Sequence, residues 1–188
     1  MQAGKLITGT LTCAAAALVA VTALSTSAYA LPPESRAVSF RCFDPSGTLY
    51  GSITSPFTGT LTTSDPGGTA AQKMKLATTW LPPLSVAPNT LPFVFRTVQT
   101  SAGGSGVGTV WDFAGSNHPA LGLGPTTFGP APTSARIAAG TTIRFKETSG
   151  ALPSTTNWSL RFKNPIPGTT NDIYCAGGQS SGSADFSF

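Results

Sequence analysis

Two short stretches, Ser39-Phe40-Arg41-Cys42-Phe43 near the start of the chain and Asp172-Ile173-Tyr174-Cys175-Ala176 near its end, decide the fold. Val38, Phe40 and Cys42 recur at period two, so they share one face of a β-strand. The second stretch reads as a late strand of the same domain. Each carries one cysteine, and a bond between them closes the domain on itself.

That pairing depends on what happens at the N-terminus. Met1-Gln2-Ala3-Gly4-Lys5 carries one positive charge, and no residue from Leu6 to Leu24 is charged. Ser25-Thr26-Ser27-Ala28-Tyr29-Ala30 then offers small residues at Ala28 and Ala30. This order of basic start, apolar run and Ala-x-Ala is that of a secretory signal peptide, cleaved after Ala30. The competing reading is an uncleaved membrane anchor. Cys13 sits inside the apolar run behind Thr12, which is not the setting of a lipoprotein cysteine. Cleavage leaves Cys42 and Cys175 alone in an exported chain, so they are expected to pair as a disulfide. The bland alternative is two buried thiols. A loop of about 130 residues closed in this way is worth at most ~5 kcal/mol on the chain-entropy argument.

Loss of Lys5 takes the formal charge from +4 to +3. Charged residues are 10% of the chain, against roughly 25% in an average soluble domain. Thr, Ser, Gly and Pro supply the polarity. Such a surface suits export and argues against nucleic-acid binding, which calls for a dense basic stripe.

The rest of the chain is expected to be strands and turns. Residues 31–36, beginning Leu31-Pro32-Pro33, read as a stiff leader, ahead of a domain over 37–188. Strands are expected at 37–43, 48–54, 57–63, 72–80, 91–99, 107–113, 135–139, 141–147, 157–163, 171–176 and 184–188. Pro-Gly turns such as Asp44-Pro45-Ser46-Gly47 and Ser64-Asp65-Pro66-Gly67-Gly68 separate them. Along 72–80, Met74 and Leu76 face one way and Lys73 and Lys75 the other. In 157–163, Trp158, Leu160 and Phe162 are expected inside and Ser159, Arg161 and Lys163 outside. Residues 114–133, rich in Gly and Pro, read as the longest irregular stretch. No segment beyond the leader shows capped helical periodicity. Short strands at this spacing point to an all-β fold: a single antiparallel β-sandwich of Ig-like or Greek-key type with one disulfide.

The opening Phe40-Arg41-Cys42, the late Tyr174-Cys175 and the closing Asp185-Phe186-Ser187-Phe188 resemble, in their layout, the secreted actinobacterial β-sandwich domains of unknown function called DUF6801. The Ala- and Pro-rich composition agrees. The resemblance implies an exported, envelope- or surface-associated module and no particular reaction. The aromatic Gly/Pro loop around Trp111 to Phe128 departs from that pattern.

Catalytic signals are thin. His118 is the only histidine, with Asp112 and Ser116 close by in sequence, but triads are spatial and Asn117-His118-Pro119 reads as a turn. Gly178-Gln179-Ser180-Ser181-Gly182 matches G-x-S-x-G without the following helix or the later histidine that a nucleophile elbow needs. One histidine and a bonded cysteine pair leave no zinc set, and the aspartates lack calcium-loop spacing. No cofactor is expected. Asn157-Trp158-Ser159 is a sequon of the kind an exported bacterial chain seldom uses.

The binding candidates are basic and aromatic. Lys73/Lys75, Arg144/Lys146 and Arg161/Lys163 each sit two apart on a strand. If 141–147 and 157–163 form a hairpin, four cations share one surface, with Arg96 beside them. That surface suits a cell-wall glycan or other polyanion; the plainer reading is a solvated, edge-protecting face. Trp80 and Trp111 are either core residues or a stacking platform for carbohydrate, and Trp158 is expected in the core. The membrane is expected to matter only during export. The leading expectation is a secreted, non-catalytic interaction module. A polyanion- or carbohydrate-binding module, a hydrolase using His118, and an inhibitor presenting the 114–133 loop are the alternatives.

Overall fold

A computed structural model describes residues 29–45, 49–50, 56–80, 85–102, 104–122, 125–145, 153–179 and 184–188. The apolar N-terminal run, most of the 48–54 strand, Leu81-Pro82-Pro83, Lys146 and Ser180 to Gly182 lie outside the described residues. The fold is all-β and antiparallel, and no described residue is helical. Eleven strands are described: β1 (Leu31–Phe43), β2 (Leu49–Tyr50), β3 (Phe57–Asp65), β4 (Lys73–Thr78), β5 (Phe93–Gln99), β6 (Val110–Gly115), β7 (Thr126–Pro132), β8 (Thr142–Phe145), β9 (Leu160–Lys163), β10 (Asp172–Gln179) and β11 (Phe186–Ser187).

The strands form two layers of a sandwich-like fold. One runs β7-β4-β3-β1 and the other runs β6-β5-β9-β10. β10 pairs with β9 on one edge and β1 on the other, so the layers are one continuous sheet. A bridge from Phe113 in β6 to Thr133, just past β7, brings the far edges together. β5 carries three neighbours: β6 along one edge, and β9 and β8 in succession along the other. The chain leaves the first layer after β4, builds the β5–β6 hairpin, and returns so that β7 lies beside β4.

Alternation fills the space between the layers. β4 buries Met74, Leu76 and Thr78 and exposes Lys73, Lys75 and Ala77, and β5 buries every second residue from Phe93 to Gln99. The centre is aromatic: Phe128 of β7 meets Phe93 of β5 at 5.2 Å and Phe162 of β9 at 5.5 Å between ring centroids. Trp80 lies 5.0 Å from Phe162 and stacks on Phe128. Each fully buried ring of this kind contributes roughly 1.5–3 kcal/mol relative to exposure.

Cys42 and Cys175 face each other directly across β1 and β10 and are joined by a disulfide spanning 133 residues. Both are buried. Two rungs away, Phe40 lies opposite Gly177. A Cβ at Gly177 would stand 2.0 Å from the Ser39 carbonyl oxygen, so only glycine lets the two strands close at this point.

Several expectations change. Residues 31–36 are not a leader: they extend β1 and pair with β3, with a register shift between Leu31 and Glu34 that absorbs Pro32 and Pro33. Proline is tolerated at such a strand start because no ladder N–H is needed there. The 114–133 stretch contains a full strand, β7. Its Gly129, at φ 97°, passes Met74 so closely that a Cβ would lie 2.5 Å from that carbonyl, and the pairing with β4 shifts there. Residues 135–139 are not a strand. The buried Gln72 side chain takes the place of a ladder, accepting from the Ile137 N–H at 2.8 Å and donating to the Ile137 carbonyl at 2.9 Å.

Asp65, buried at the end of β3, completes that corner. Arg136 grips both its oxygens at 2.9 Å, and the Gly67 N–H donates to it at 2.8 Å. Burial opposes its ionisation, but the hydrogen bonds from Gly67, Arg136 and Gln72 outweigh this and hold its pKa below the ordinary value of 3.8.

Two outcomes follow. Replacing both Cys42 and Cys175 by Ala should lower unfolding stability by roughly 2–5 kcal/mol in denaturant titrations. Asp65 contributes stability that is fully present above its ordinary pKa and is lost as pH falls through the depressed one. Denaturation curves between pH 5 and 2 (about the span of this titration) should therefore fall more steeply for the parent protein than for Asp65→Asn.

Candidate functional site

β8 and β9 do not pair with each other. Both pair with β5, β8 at Thr97 to Gln99 and β9 at Phe93 to Phe95, so the expected hairpin of four cations does not form. β5 separates them because its edge is long enough to take both in line.

The cations on these strands have carboxylates of their own. Arg144 Nε lies 2.7 Å from Asp185, and Arg96 binds Asp112 through Nε at 2.8 Å and Nη2 at 2.7 Å. Arg161 and Lys163 share Asp172, at 3.7 Å and 2.8 Å. The Lys163–Asp172 contact is an ion pair without hydrogen-bond alignment at Oδ1. The Asp112 hydrogen bond, acting against desolvation, makes the Arg96 guanidinium still harder to deprotonate. Beside this group a shallow hollow of about 440 Å³ is lined by Val94, Ala114, Ser116, Arg161, Lys163 and Asp172.

The tryptophans are not a platform. Trp80 is 3% exposed, inside the aromatic centre, because Phe57, Phe128 and Phe162 enclose it. Trp111 is partly buried against the core, and its indole N–H donates to Gln99 at 3.2 Å. Trp158 is buried but lies outside the core cluster. It sits under the guanidinium of Arg96 at 3.8 Å, with Arg161 at 5.1 Å and Tyr174 at its edge. The expected alternation breaks just before β9: Ser159 is fully buried, with its N–H donating to the Cys175 carbonyl at 2.8 Å. Cation–π stacking thus covers an indole that the sequence pattern assigns to the interior.

His118 is 1% exposed. Its Nε2 accepts from the Leu91 N–H at 2.9 Å, so Nδ1 carries the proton and donates to the Pro119 carbonyl at 2.6 Å. The Asn89 side chain accepts from the His118 N–H at 3.0 Å, and Val86 and Leu121 exchange two backbone bonds. The histidine is the pin of a loop-to-loop lock. Asp112, its supposed triad partner, is engaged by Arg96 on β5. Among the described residues no three His, Cys, Asp or Glu side chains are grouped as a metal site.

A different surface stands out. On the outer face of the β1–β3–β4 layer, the registered ranks are Ser39-Thr58, Ala37-Thr60-Ala77 and Ser35-Thr62-Lys75, followed by Ser64-Lys73. Thr79 joins the first rank by accepting from the Thr58 N–H at 3.2 Å. Between them lies a hollow of about 510 Å³ walled by small residues and hydroxyls, with Pro125 at one side. Lys73 and Lys75 close one end of the face, and Arg41, exposed on β1 beyond Ser39, closes the other. These three are the cations without an ion pair among the described residues. Their place was half legible: Lys73 and Lys75 alternate visibly with Met74 and Leu76, but Arg41 and the Thr-x-Thr run join them only through strand order.

No family model, curated protein or solved structure matches this chain.

His118→Ala strips a buried N–H of its acceptor and a buried carbonyl of its donor, a loss of roughly 1–3 kcal/mol. Thermal melts should show that drop, and limited proteolysis should newly cut near residues 85–91 or 116–122.

Proposed function

We propose that this chain is an exported, non-catalytic β-sandwich module that works by binding at the cell envelope or outside the cell. The observation that carries the reading is the engagement of His118. A general base must offer a nitrogen to substrate, and both ring nitrogens of His118 are spent on backbone partners in a buried loop lock. That removes the residue on which a hydrolase reading depends. The buried cross-strand disulfide supports an oxidising compartment,. No helix among the described residues is long and apolar enough to cross a membrane. The N-terminal pattern of Lys5, an uncharged run and Ala28-Tyr29-Ala30 supports export by signal peptide. The secreted actinobacterial domains that the layout resembles would be modules of the same kind.

A second reading, polyanion binding, is favoured by one observation: Arg41, Lys73 and Lys75 retain unneutralised charge on a single face. The cations of β5, β8 and β9 support it less, because each has a carboxylate within ion-pair distance, with Arg161 and Lys163 sharing one.

Expression of the full chain in a secreting bacterial host checks the main reading. Intact mass spectrometry of the culture medium should find a chain starting at Leu31 and two hydrogens lighter than the reduced form. The purified material should leave ester, peptide and glycoside substrates unchanged. Retention in the cytoplasm, free thiols in the secreted chain, or turnover abolished by His118→Ala would each overturn it.

A further inference from the structure

We propose that the outer face of β1, β3 and β4 is a docking surface for a carboxylate-bearing polysaccharide. The inference rests on the binding-module reading above and names its ligand. Within the described residues, every other cation lies against a carboxylate, Arg161 and Lys163 sharing Asp172, whereas Arg41, Lys73 and Lys75 have none and stand at opposite ends of one neutral hollow. Charge complementarity therefore selects an anionic occupant long enough to reach both ends.

The floor of the hollow narrows the choice. It offers the hydroxyls of Ser39, Thr58 and Thr60 and the methyls of Ala37 and Ala77, and no large apolar side chain. A protein partner would need an aromatic or Arg anchor and a pocket to receive it. Single-stranded nucleic acid would need aromatic stacking surfaces and a denser basic track. A lipid surface would need apolar side chains to insert. A uronate-type sugar brings one carboxylate, several hydroxyls and a C–H face in each ring, the same mixture that the face presents. Along each strand outward residues recur about every 6.8 Å, and strands lie about 4.8 Å apart, so hydroxyls meet a chain laid across the ranks at sugar-sized intervals. Lys73 and Lys75 supply point charges that follow a flexible polymer, and Arg41 at the other end supplies a guanidinium fork that matches a carboxylate,.

Affinity electrophoresis of the full-length secreted protein in gels containing polygalacturonate tests this, with dextran and poly(glycerol phosphate) as comparison polymers. Retardation is expected with polygalacturonate, falling as salt rises. Lys73→Gln/Lys75→Gln should weaken it about tenfold, while the charge-matched Arg144→Gln/Lys163→Gln leaves it intact. Thr58→Val/Thr60→Val keeps the charge and should weaken it about three- to tenfold. Thermal melts of each variant confirm folding, which the exposed Lys73, Lys75, Thr58 and Thr60 positions should preserve; Arg144 is half-buried against Asp185, so its double is expected to melt lower while still folded. The proposal is overturned by no retardation in polygalacturonate, by equal losses in the two charge-matched doubles, by an unaffected threonine double, or by stronger binding to poly(glycerol phosphate). Any of these leaves the exported, non-catalytic reading standing, whereas enzymatic turnover would remove that reading and leave the docking face untouched.

Discussion

The pairing of β1 with β10 is the constraint from which the rest follows. It is the seam between the layers, whose far edges otherwise meet at the single Phe113–Thr133 bridge. Three features act on the same few rungs. The disulfide fixes Cys42 opposite Cys175, Gly177 allows Phe40 to close against its neighbour strand, and the Phe43–Tyr174 contact at 6.0 Å caps the outer side. Because side chains alternate at period two, a slip of one residue here would turn the core-facing set of β1 outward. A covalent bond between directly opposed residues removes that alternative.

Much of this was legible in the sequence. Alternation located Met74, Leu76, Leu160 and Phe162 in the core because those strands are amphipathic and bury one face. The cysteine pair was legible because, once Cys13 is read as part of a signal peptide, the other two cysteines have a single intramolecular pairing. What stayed hidden was long-range. The sequence of 141–147 and 157–163 suits a hairpin, yet nothing local says that β5 has edge enough for both strands. β7 was masked by its Gly-Pro content, which reads as loop, although Phe128 beside Gly129 is the hub of the aromatic centre. Gln72 and Gln179 look like surface residues in sequence. Both are buried and satisfy backbone groups that have no ladder partner, Gln179 by accepting from the Phe145 N–H at 2.8 Å.

The charge distribution follows from the same geometry. A chain with few charged residues has spent most of its carboxylates on local clamps: Asp65 holding a corner, Asp185 holding the last strand to β8, and Asp112 steadying the arginine over Trp158. Away from the buried Asp65, the more exposed of these pairs are individually weak, roughly 0–1 kcal/mol each,. Their larger effect is on the surface field, since each cancels a cation that would otherwise look outward. Among the described residues the layer holding β5, β8 and β9 keeps one cation in excess, since Arg161 and Lys163 share Asp172, and the opposite layer keeps the cations that no carboxylate touches.

The position of the cross-link also decides how the molecule meets mechanical tension. Cys42 and Cys175 enclose nearly the whole core, including every strand from β2 to β9. A pull entering through the residues before β1 and leaving through those after β10 travels across the sulfur bridge and bypasses everything enclosed. Only the flanks can peel: the pairing of Leu31 to Phe40 with β3, the outer rungs of β10, and the short β11. A domain anchored at a wall and tugged from outside would lengthen by those few rungs, giving up Phe40, Phe186 and Phe188 at the margin of the core, and then hold with Phe93, Phe128 and Phe162 still inside the bridged loop.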